Sequence, residues 1–493
     1  MAAVRELREF LRFRGLQLVT LAALLAVVGW RSFQLKFCVL DLDIWWHLKV
    51  GDWIVQHLSV PHTGILSRTA ANRPWVAYSW GYEIMLSRAY AWFGLLGIGA
   101  FGTLLTIAIA FAVYWMARRL SGRFWVSCLL AAATCSAFLF DLMPRPVFLS
   151  IVLFTVTLTL ILNAQRSGQV RTLYWLPLVF LCWANLHIQF IYGLFLVGLL
   201  LGVNLVERGA ARLGMESSFL APPTLPARAL AAVFGGCVIA TLIGPNSYHL
   251  YGAIANYSRA KVAYSAIIEL QPLSFRVYSN YVELLLAGAA FYAVGWQKRI
   301  DLFKLVLLVI GSVVAFRTMR DSWFLCIPAA ACLADTPVEG SERDLPETPF
   351  ELAGVFAMAT LAMLLFAHDT EFTARGLDRA ITGTFPVKAV NFLRRNPQPG
   401  PLYNTFDWGG FLMWYMPQYP VAIDGRNDLY GDELDERFFR TQSGDLSYKT
   451  DPSLNESGVI ILRKTDGLVY SLNLDPNFRK IYEDELATVF VRR

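Results

Sequence analysis

Along the first 367 positions, apolar residues gather in long runs separated by short segments carrying Arg, Lys, Pro and Gly. A bilayer core about 30 Å thick is crossed by a helix of roughly 20 such residues. On that measure helices are predicted near 16–34, 93–117, 124–140, 146–163, 172–187, 189–205, 227–243, 281–296, 302–316, 322–334 and 350–367, about 11 spans in all. Residues 1–367 then form a transmembrane domain whose first loop, 35–92, is long. Beyond 367 the pattern turns polar and is broken by Pro, Gly, Asn and Asp, as in Arg395-Asn396-Pro397-Gln398-Pro399-Gly400. Within 368–493 the stretch 386–395 reads as a helix, and Val421-Ala422-Ile423, Val459-Ile460-Ile461-Leu462 and Ala487-Thr488-Val489-Phe490-Val491 read as strands. The predicted fold class is a polytopic α-helical membrane protein with a C-terminal extracytoplasmic α/β domain.

Composition sharpens this. Of 493 residues, 56% are hydrophobic and 16% charged, against roughly 45–50% and 25% in an ordinary soluble domain. That excludes a single water-soluble globule, and with it disorder, collagen and a small disulfide scaffold. The 43 Lys and Arg exceed the 37 Asp and Glu by six, an excess read as a topology signal and not as nucleic-acid binding. Arg5, Arg8, Arg12 and Arg14 precede the first span, and Gly29-Trp30-Arg31-Ser32-Phe33 offers no small-x-small cleavage site, so the span reads as uncleaved with the N-terminus cytoplasmic. Counting alternately from there puts Arg118, Arg119, Arg123, Arg166, Arg171, Arg208, Arg212, Lys298 and Arg299 inside as well, and the tail outside. The seven cysteines show no zinc or disulfide spacing and read as small core residues.

On this topology Asp41, Asp43, Glu83, Arg145, Asn185, His187, His249, Glu269, Arg317 and Arg320 fall at the extracytoplasmic face, where ionisable groups mark a polar cleft. The first loop, about 58 residues long, opens with Leu40-Asp41-Leu42-Asp43-Ile44-Trp45-Trp46-His47. Aspartates at i and i+2 share a side of an extended segment, which suits a general base or an oxygen-ligated divalent cation, Mg or Mn. Asp43 equally suits the cap of a following helix. Trp46, Val50, Trp53, Ile54 and His57 recur at helical spacing, predicting an amphipathic helix on the membrane surface. Arg145, between Pro144 and Pro146, either grips a phosphate or snorkels to headgroups. Trp183-Ala184-Asn185-Leu186-His187 is a polar knot between spans, either a substrate contact or an interhelical latch. Arg317 and Arg320, three residues apart on one predicted helical face, suit a diphosphate or phosphate clamp, with Asp321 available to pair with one of them. A loop of roughly 35 residues carries His249, Tyr251, Lys261, Tyr264, Glu269 and Tyr281, and long ordered loops are often binding elements.

The opening of the first loop, the many spans and the soluble tail resemble the glycosyltransferase-C superfamily, which includes oligosaccharyltransferases and protein O-mannosyltransferases. Arg145-Pro146, Trp183-Ala184-Asn185-Leu186-His187, Trp408-Gly409-Gly410-Phe411-Leu412 and Ile423-Asp424-Gly425-Arg426 are similar, more closely, to a group of bacterial polytopic proteins of the cell envelope. The resemblance implies an integral protein of the inner (plasma) membrane. It also implies transfer of a sugar, with inversion, from a polyprenyl-phosphate carrier to a glycan, lipid or protein acceptor outside the cytoplasm. Asp41 or Asp43 would be the base or a metal ligand. Arg145, Arg317 and Arg320 would hold the lipid phosphate, and His47, Glu83, Asn185, His187, His249 and Glu269 the substrates. The tail lacks a Trp-Trp-Asp-Tyr-Gly stretch, which weighs against peptide asparagine as acceptor. Asp424 and Arg426 sit at a predicted strand end, a common ligand position, or else pair to stabilise a junction.

Two other classes compete: a transporter or flippase of lipid-linked saccharide, and a non-catalytic assembly subunit. A transporter places charged or helix-breaking residues near span midpoints. Here the polar groups gather at one end.

Overall fold

The computed structural model describes residues 2–35, 37–139, 142–214, 220–260, 262, 267–337 and 343–493. Lys261 and Tyr264 of the long loop, and the side chains of Arg5 and Arg8, lie outside the described residues. The chain packs as two compact units: Met1–Leu35, Gly102–Gly244 and Ile268–Thr370 in one, Lys36–Phe101, Pro245–Ile267 and Glu371–Arg493 in the other. These units follow packing, whereas the division at 367 follows the expected membrane.

Each of the eleven apolar stretches falls on a helix: Ala2–Leu35, Leu95–Ser121, Phe124–Phe138, Val147–Ser167, Leu176–Leu186, Phe190–Arg212, Ala227–Thr241, Tyr278–Gly295, Leu302–Arg317, Trp323–Ala334 and Pro349–Asp369. Among the described residues five helices are long and apolar enough to cross a membrane: Arg12–Leu40, Leu95–Ser121, Val147–Ser167, Phe190–Arg212 and Pro349–Ala367. The chain is therefore an integral membrane protein, but the remaining helices, at 11 to 18 residues, reach only about 17–27 Å. Length alone does not carry eleven crossings.

In the first unit, Ala2–Leu35 packs on Pro349–Asp369, and Tyr278–Gly295 packs between Phe124–Phe138 and Trp323–Ala334. The last of these is buried along almost its whole length. Basic linkers meet at one end of this unit around a cavity of about 500 Å³ lined by Arg123, Arg166, Asn204, Asp301, Lys304 and Asp335. Arg166 and Lys304 both pair with Asp335 there.

The second unit is built around a four-stranded sheet of order β1-β2-β4-β3, with β1 Leu402–Asn404, β2 Val459–Arg463, β3 Phe478–Glu483 and β4 Ala487–Arg492. β1 runs parallel to β2, while β4 is antiparallel to both β2 and β3. β2 is apolar at four successive buried positions, the signature of a strand covered on both faces. The expected helix appears at Val387–Arg395, and Asn427–Gln442 is a further one.

Val421-Ala422-Ile423, expected as a strand, is not one. Val421 makes a single bridge to Ser67, and the segment's backbone groups are taken elsewhere. Ala422 N–H donates to Asn404 Oδ1 at 2.9 Å, and Asn404 Nδ2 donates to the Ile423 carbonyl at 2.8 Å. A side-chain amide at the end of β1 replaces the ladder partner a strand would need.

The Ile44–His57 helix also differs in setting. Its bounds match the periodicity, but Ile44, Trp45, Trp46, His47, Leu48, Val50, Gly51 and Ile54 are buried, packed against Trp80–Phe93 and Gly409–Tyr415. It is a core helix of this unit and not one lying on a surface. Aromatic spacing alone cannot tell a lipid-facing stripe from a protein-facing one.

One tight packing contact in the first unit yields a test. A Cβ on Gly193 would overlap the Trp183 ring and come within 2.9 Å of Phe180. Trp183 cannot give way, being fully buried with its indole N–H bonded to Ser150 Oγ at 2.7 Å. Gly193→Ala is expected to destabilise the fold by about 1–3 kcal/mol through overpacking, read as a lowered melting temperature of the detergent-solubilised protein.

Candidate functional site

In the second unit the Asp41–Trp46 turn is shaped by its own carboxylates. Asp41 is buried, 2% exposed, and its Oδ1 accepts the Asp43 backbone N–H at 3.2 Å. Asp43 occupies the N-cap position of Ile44–His57 but its side chain caps no backbone group. Its Oδ1 instead accepts the Trp46 indole N–H at 3.1 Å. The two aspartates therefore differ: one is spent on the turn, and the other is half-exposed and aimed by an indole.

The tail moulds this turn. A Cβ on Gly410 would stand 2.9 Å from the Leu42 carbonyl and 3.1 Å from the Trp46 nitrogen. A Cβ on Gly425 would overlap Asp43 Oδ1 itself and lie 3.3 Å from the Trp46 indole nitrogen. Trp45 is anchored fully buried among Phe385, Phe411 and Tyr415, at centroid distances of 5.9, 5.7 and 5.4 Å.

Asp424 and Arg426 form a fully buried two-pronged pair, Nε to Oδ1 at 2.8 Å and Nη2 to Oδ2 at 2.7 Å. Tyr430 Oη donates to the same carboxylate at 2.7 Å, and Arg426 Nη2 also donates to the Ile65 carbonyl at 3.0 Å. The guanidinium covers the Trp75 ring at 4.9 Å, while the Trp75 indole N–H donates to Asp428 Oδ2 at 3.0 Å. Of the two readings of this motif, the structure takes the junction: it locks the tail to the first loop. Breaking such a buried pair on one side costs about 3–5 kcal/mol.

His47 and Glu83, expected to contact substrate, are buried against each other, 4% and 1% exposed, with Nδ1 and Oε1 3.1 Å apart. His47 also stacks on Trp46 at 3.5 Å. Burial pushes the Glu83 carboxyl well above its ordinary range, with Asp428 adding to the rise and Arg426 opposing it. His249 opens the His249–Tyr257 helix and is exposed beside Tyr248, ring centroids 4.2 Å apart.

In the first unit, Arg145, held at the start of Val147–Ser167 by its proline neighbours, donates to Glu269 Oε1 at 3.0 Å. Arg320 lies 3.7 Å from the same oxygen. Partial burial works to raise the Glu269 pKa, but the charges of Arg145 and Arg320 outweigh it and hold the carboxyl below its usual range. Glu269 thus bridges two guanidiniums gathered from distant turns.

Arg317 and Arg320 do not share a helical face. The Leu302–Arg317 helix ends at Thr318, which is extended at φ −141° and ψ 120°, and Arg320 sits in the separate Met319–Asp321 turn. Arg317 is exposed. Asp321 accepts hydrogen bonds from Thr318, Tyr192 and Gln189 at 3.0, 3.1 and 3.2 Å, while Glu269 is the carboxylate that bridges Arg145 and Arg320.

The Trp183–His187 knot resolves as a latch. His187 Nδ1 is 2.8 Å from Ser150 Oγ, and Asn185 Nδ2 donates to the Ile243 carbonyl at 2.9 Å. Ser150, Tyr192 and Trp75 carried no sequence signal, because each gains its role from a partner far along the chain.

Among the described residues no group of three or more His, Cys, Asp and Glu is arranged to hold a metal ion. Asp41 is closed into its turn and one Asp43 oxygen is taken by an indole. These two side chains alone do not fit a Mg or Mn shell, which wants about six oxygens.

The fold is shared with a solved archaeal oligosaccharyltransferase. The chain is similar to the apo oligosaccharyltransferase of Archaeoglobus fulgidus at 10% identity and TM-score 0.53, over 90% of this chain and 69% of that one. A looser likeness, at 14% identity and TM-score 0.47, covers 96% of this chain and 97% of ArnT from Cupriavidus metallidurans bound to undecaprenyl phosphate. No protein-family model and no curated protein matches the chain.

The Glu83 carboxyl gives a signed pH test. A folded-state pKa raised above the unfolded one contributes stability that is complete below the unfolded value and lost as pH rises through the folded value. Glu83→Gln stays neutral throughout, so its melting temperature relative to the parent should climb as pH goes from about 5 to about 8. A difference constant over that window would contradict a buried, protonated Glu83.

Proposed function

We propose that the chain is a membrane glycosyltransferase that moves a sugar from a polyprenyl-phosphate-linked donor to an acceptor with inversion. The observation that carries the class is the fold, shared with an oligosaccharyltransferase along 90% of the chain. Asp43, half-exposed and aimed by the Trp46 indole, suits the base. It takes the acceptor hydroxyl proton while the acceptor oxygen bonds to the anomeric carbon. The bond from that carbon to phosphate breaks on the opposite side, and its electron pair leaves on the phosphate oxygen.

Departing phosphate gathers negative charge, and prepositioned guanidiniums lower the barrier most where water is scarce. Arg145 and Arg320, already held by Glu269, suit that task, with exposed Arg317 as a third cation. Glu269 acts here as the group that holds the clamp open in the absence of phosphate. Asp41 serves the base by fixing its backbone, while Asn185 and His187 serve through the interhelical latch. Arg145, Glu269, Arg317, Arg320, Asn185 and His187 lie at helix ends and turns, which favours a fixed site there over alternating access.

The test is transfer of labelled hexose from an undecaprenyl-phosphate-linked donor to cell-envelope material in membranes holding equal amounts of each variant. Asp43→Asn should slow transfer roughly a hundred- to ten-thousand-fold, the usual contribution of a general base, with undecaprenyl phosphate binding unchanged. Asp41→Asn should cost less. Full transfer by both variants would remove the carboxylates from the mechanism.

A further inference from the structure

The second unit holds a cavity of about 940 Å³ to which neither Asp43 nor the arginines of the proposed clamp contribute, walled by segments around His62 and Trp75, around Tyr248 and Asn256, and around Asp428. It lies at the upper end of the roughly 300–1,000 Å³ of small-molecule sites. The walls are tied to one another. Buried Asn246 donates to the Ala77 carbonyl at 3.0 Å, the Val262 N–H donates to Asp432 at 3.1 Å, and the Trp75 indole holds Asp428 at 3.0 Å.

Its lining has a particular chemistry. Tyr248 is 67% exposed and presents a ring face and a hydroxyl. His62, His249, Asn256, Arg259 and Asp428 are exposed and supply hydrogen-bonding groups on several sides. Asp428 and Asp432 outnumber Arg259 along the wall, which disfavours an anion such as phosphate, and apolar surface from Trp75, Val76, Tyr248 and Tyr257 alternates with the hydrogen-bonding groups. Among the described residues no cluster here suits a metal. A neutral ligand with many hydroxyls and an apolar ring face satisfies both the hydrogen-bonding groups and the aromatic ones.

Two glycines keep the space open. Gly431, at φ 72° and ψ 165°, breaks the Asn427–Gln442 helix at the cavity wall. At Gly252, within His249–Tyr257, a Cβ would meet nothing within 4 Å.

We propose that this cavity binds the saccharide acceptor, a glycan of more than one sugar ring. The inference rests on the transferase reading and names the acceptor class for it.

The test uses the full chain in nanodiscs on an array of immobilised cell-envelope oligosaccharides, alongside the melting shift caused by undecaprenyl phosphate. Gly252→Phe fills the cavity from a position where a side chain meets no neighbour, and Tyr248→Ala removes the exposed ring. The parent should be retained on glycans, both variants should lose retention at least about tenfold, and all three should keep the same lipid-induced shift. No retention of the parent, or equal retention of parent and Gly252→Phe at normal melting temperature, overturns the proposal. Suppose instead that Gly252→Phe weakens only undecaprenyl-phosphate-hexose and leaves the bare lipid and the array unaffected. The cavity then holds the donor's sugar and the acceptor assignment falls. Glycan retention that is lost in the variants while the parent ignores undecaprenyl phosphate supports the saccharide site and sinks the polyprenyl donor.

Discussion

Two glycines facing one acidic turn set the geometry on which the candidate chemistry depends. Gly410 and Gly425 let the tail backbone lie directly on Leu42, Asp43 and Trp46, closer than any side chain would permit. The Asp43 carboxylate is thereby pressed between Gly425 and its own helix and bonded to the Trp46 indole. A carboxylate free to rotate would take the helix-cap position that its place in the sequence invites. The buried Asp424–Arg426 pair beside it fixes the tail to Ile65 and Trp75 of the first loop, so the mould and the moulded turn belong to one packed unit.

The guanidinium cluster in the first unit follows the same logic of restraint. Arg145 is pinned by prolines, Arg320 by a tight turn, and the Met319 N–H is bound to the Gln271 carbonyl at 2.9 Å, tying that turn to the one bearing Glu269. Two cations brought together without a carboxylate would repel one another. Glu269 offsets that repulsion and leaves the cluster rich in positive charge. Asp321, bonded by a hydroxyl, a phenol and an amide, supports the turn and also feels the charge of Arg320.

What was legible in the sequence followed from local pattern. The apolar runs marked the apolar helices, and β2 and β4 showed as short β-branched runs, because burial on all sides writes itself into consecutive residues, whereas the largely polar Asn427–Gln442 helix left no such run. Val421-Ala422-Ile423 misled for the same reason: it is just as buried, but Asn404 and the first loop satisfy its backbone. Arg317 and Arg320 misled because a helical spacing continues through Thr318 on paper and not in the chain. The latch at Asn185 and His187, the bridging by Glu269 and the cavity beside Tyr248 depend on partners distant in sequence, which no spacing rule reports. The glycines of the Trp408-Gly409-Gly410 and Asp424-Gly425-Arg426 motifs stood out as motifs, yet their reason, close approach to an aspartate, needed the fold.

The central claim is that Gly425 seats the carboxylate of Asp43, the proposed base. A Cβ there meets the mobile end of Asp43 and not backbone, so Gly425→Ala should fold normally while displacing the carboxylate. The decisive measurement is the turnover of Gly425→Ala in sugar transfer from the polyprenyl-phosphate donor, at matched melting temperature and donor affinity. The account predicts a fall of about a hundredfold or more, the scale of a lost general base. Turnover within about twofold of the parent would contradict it.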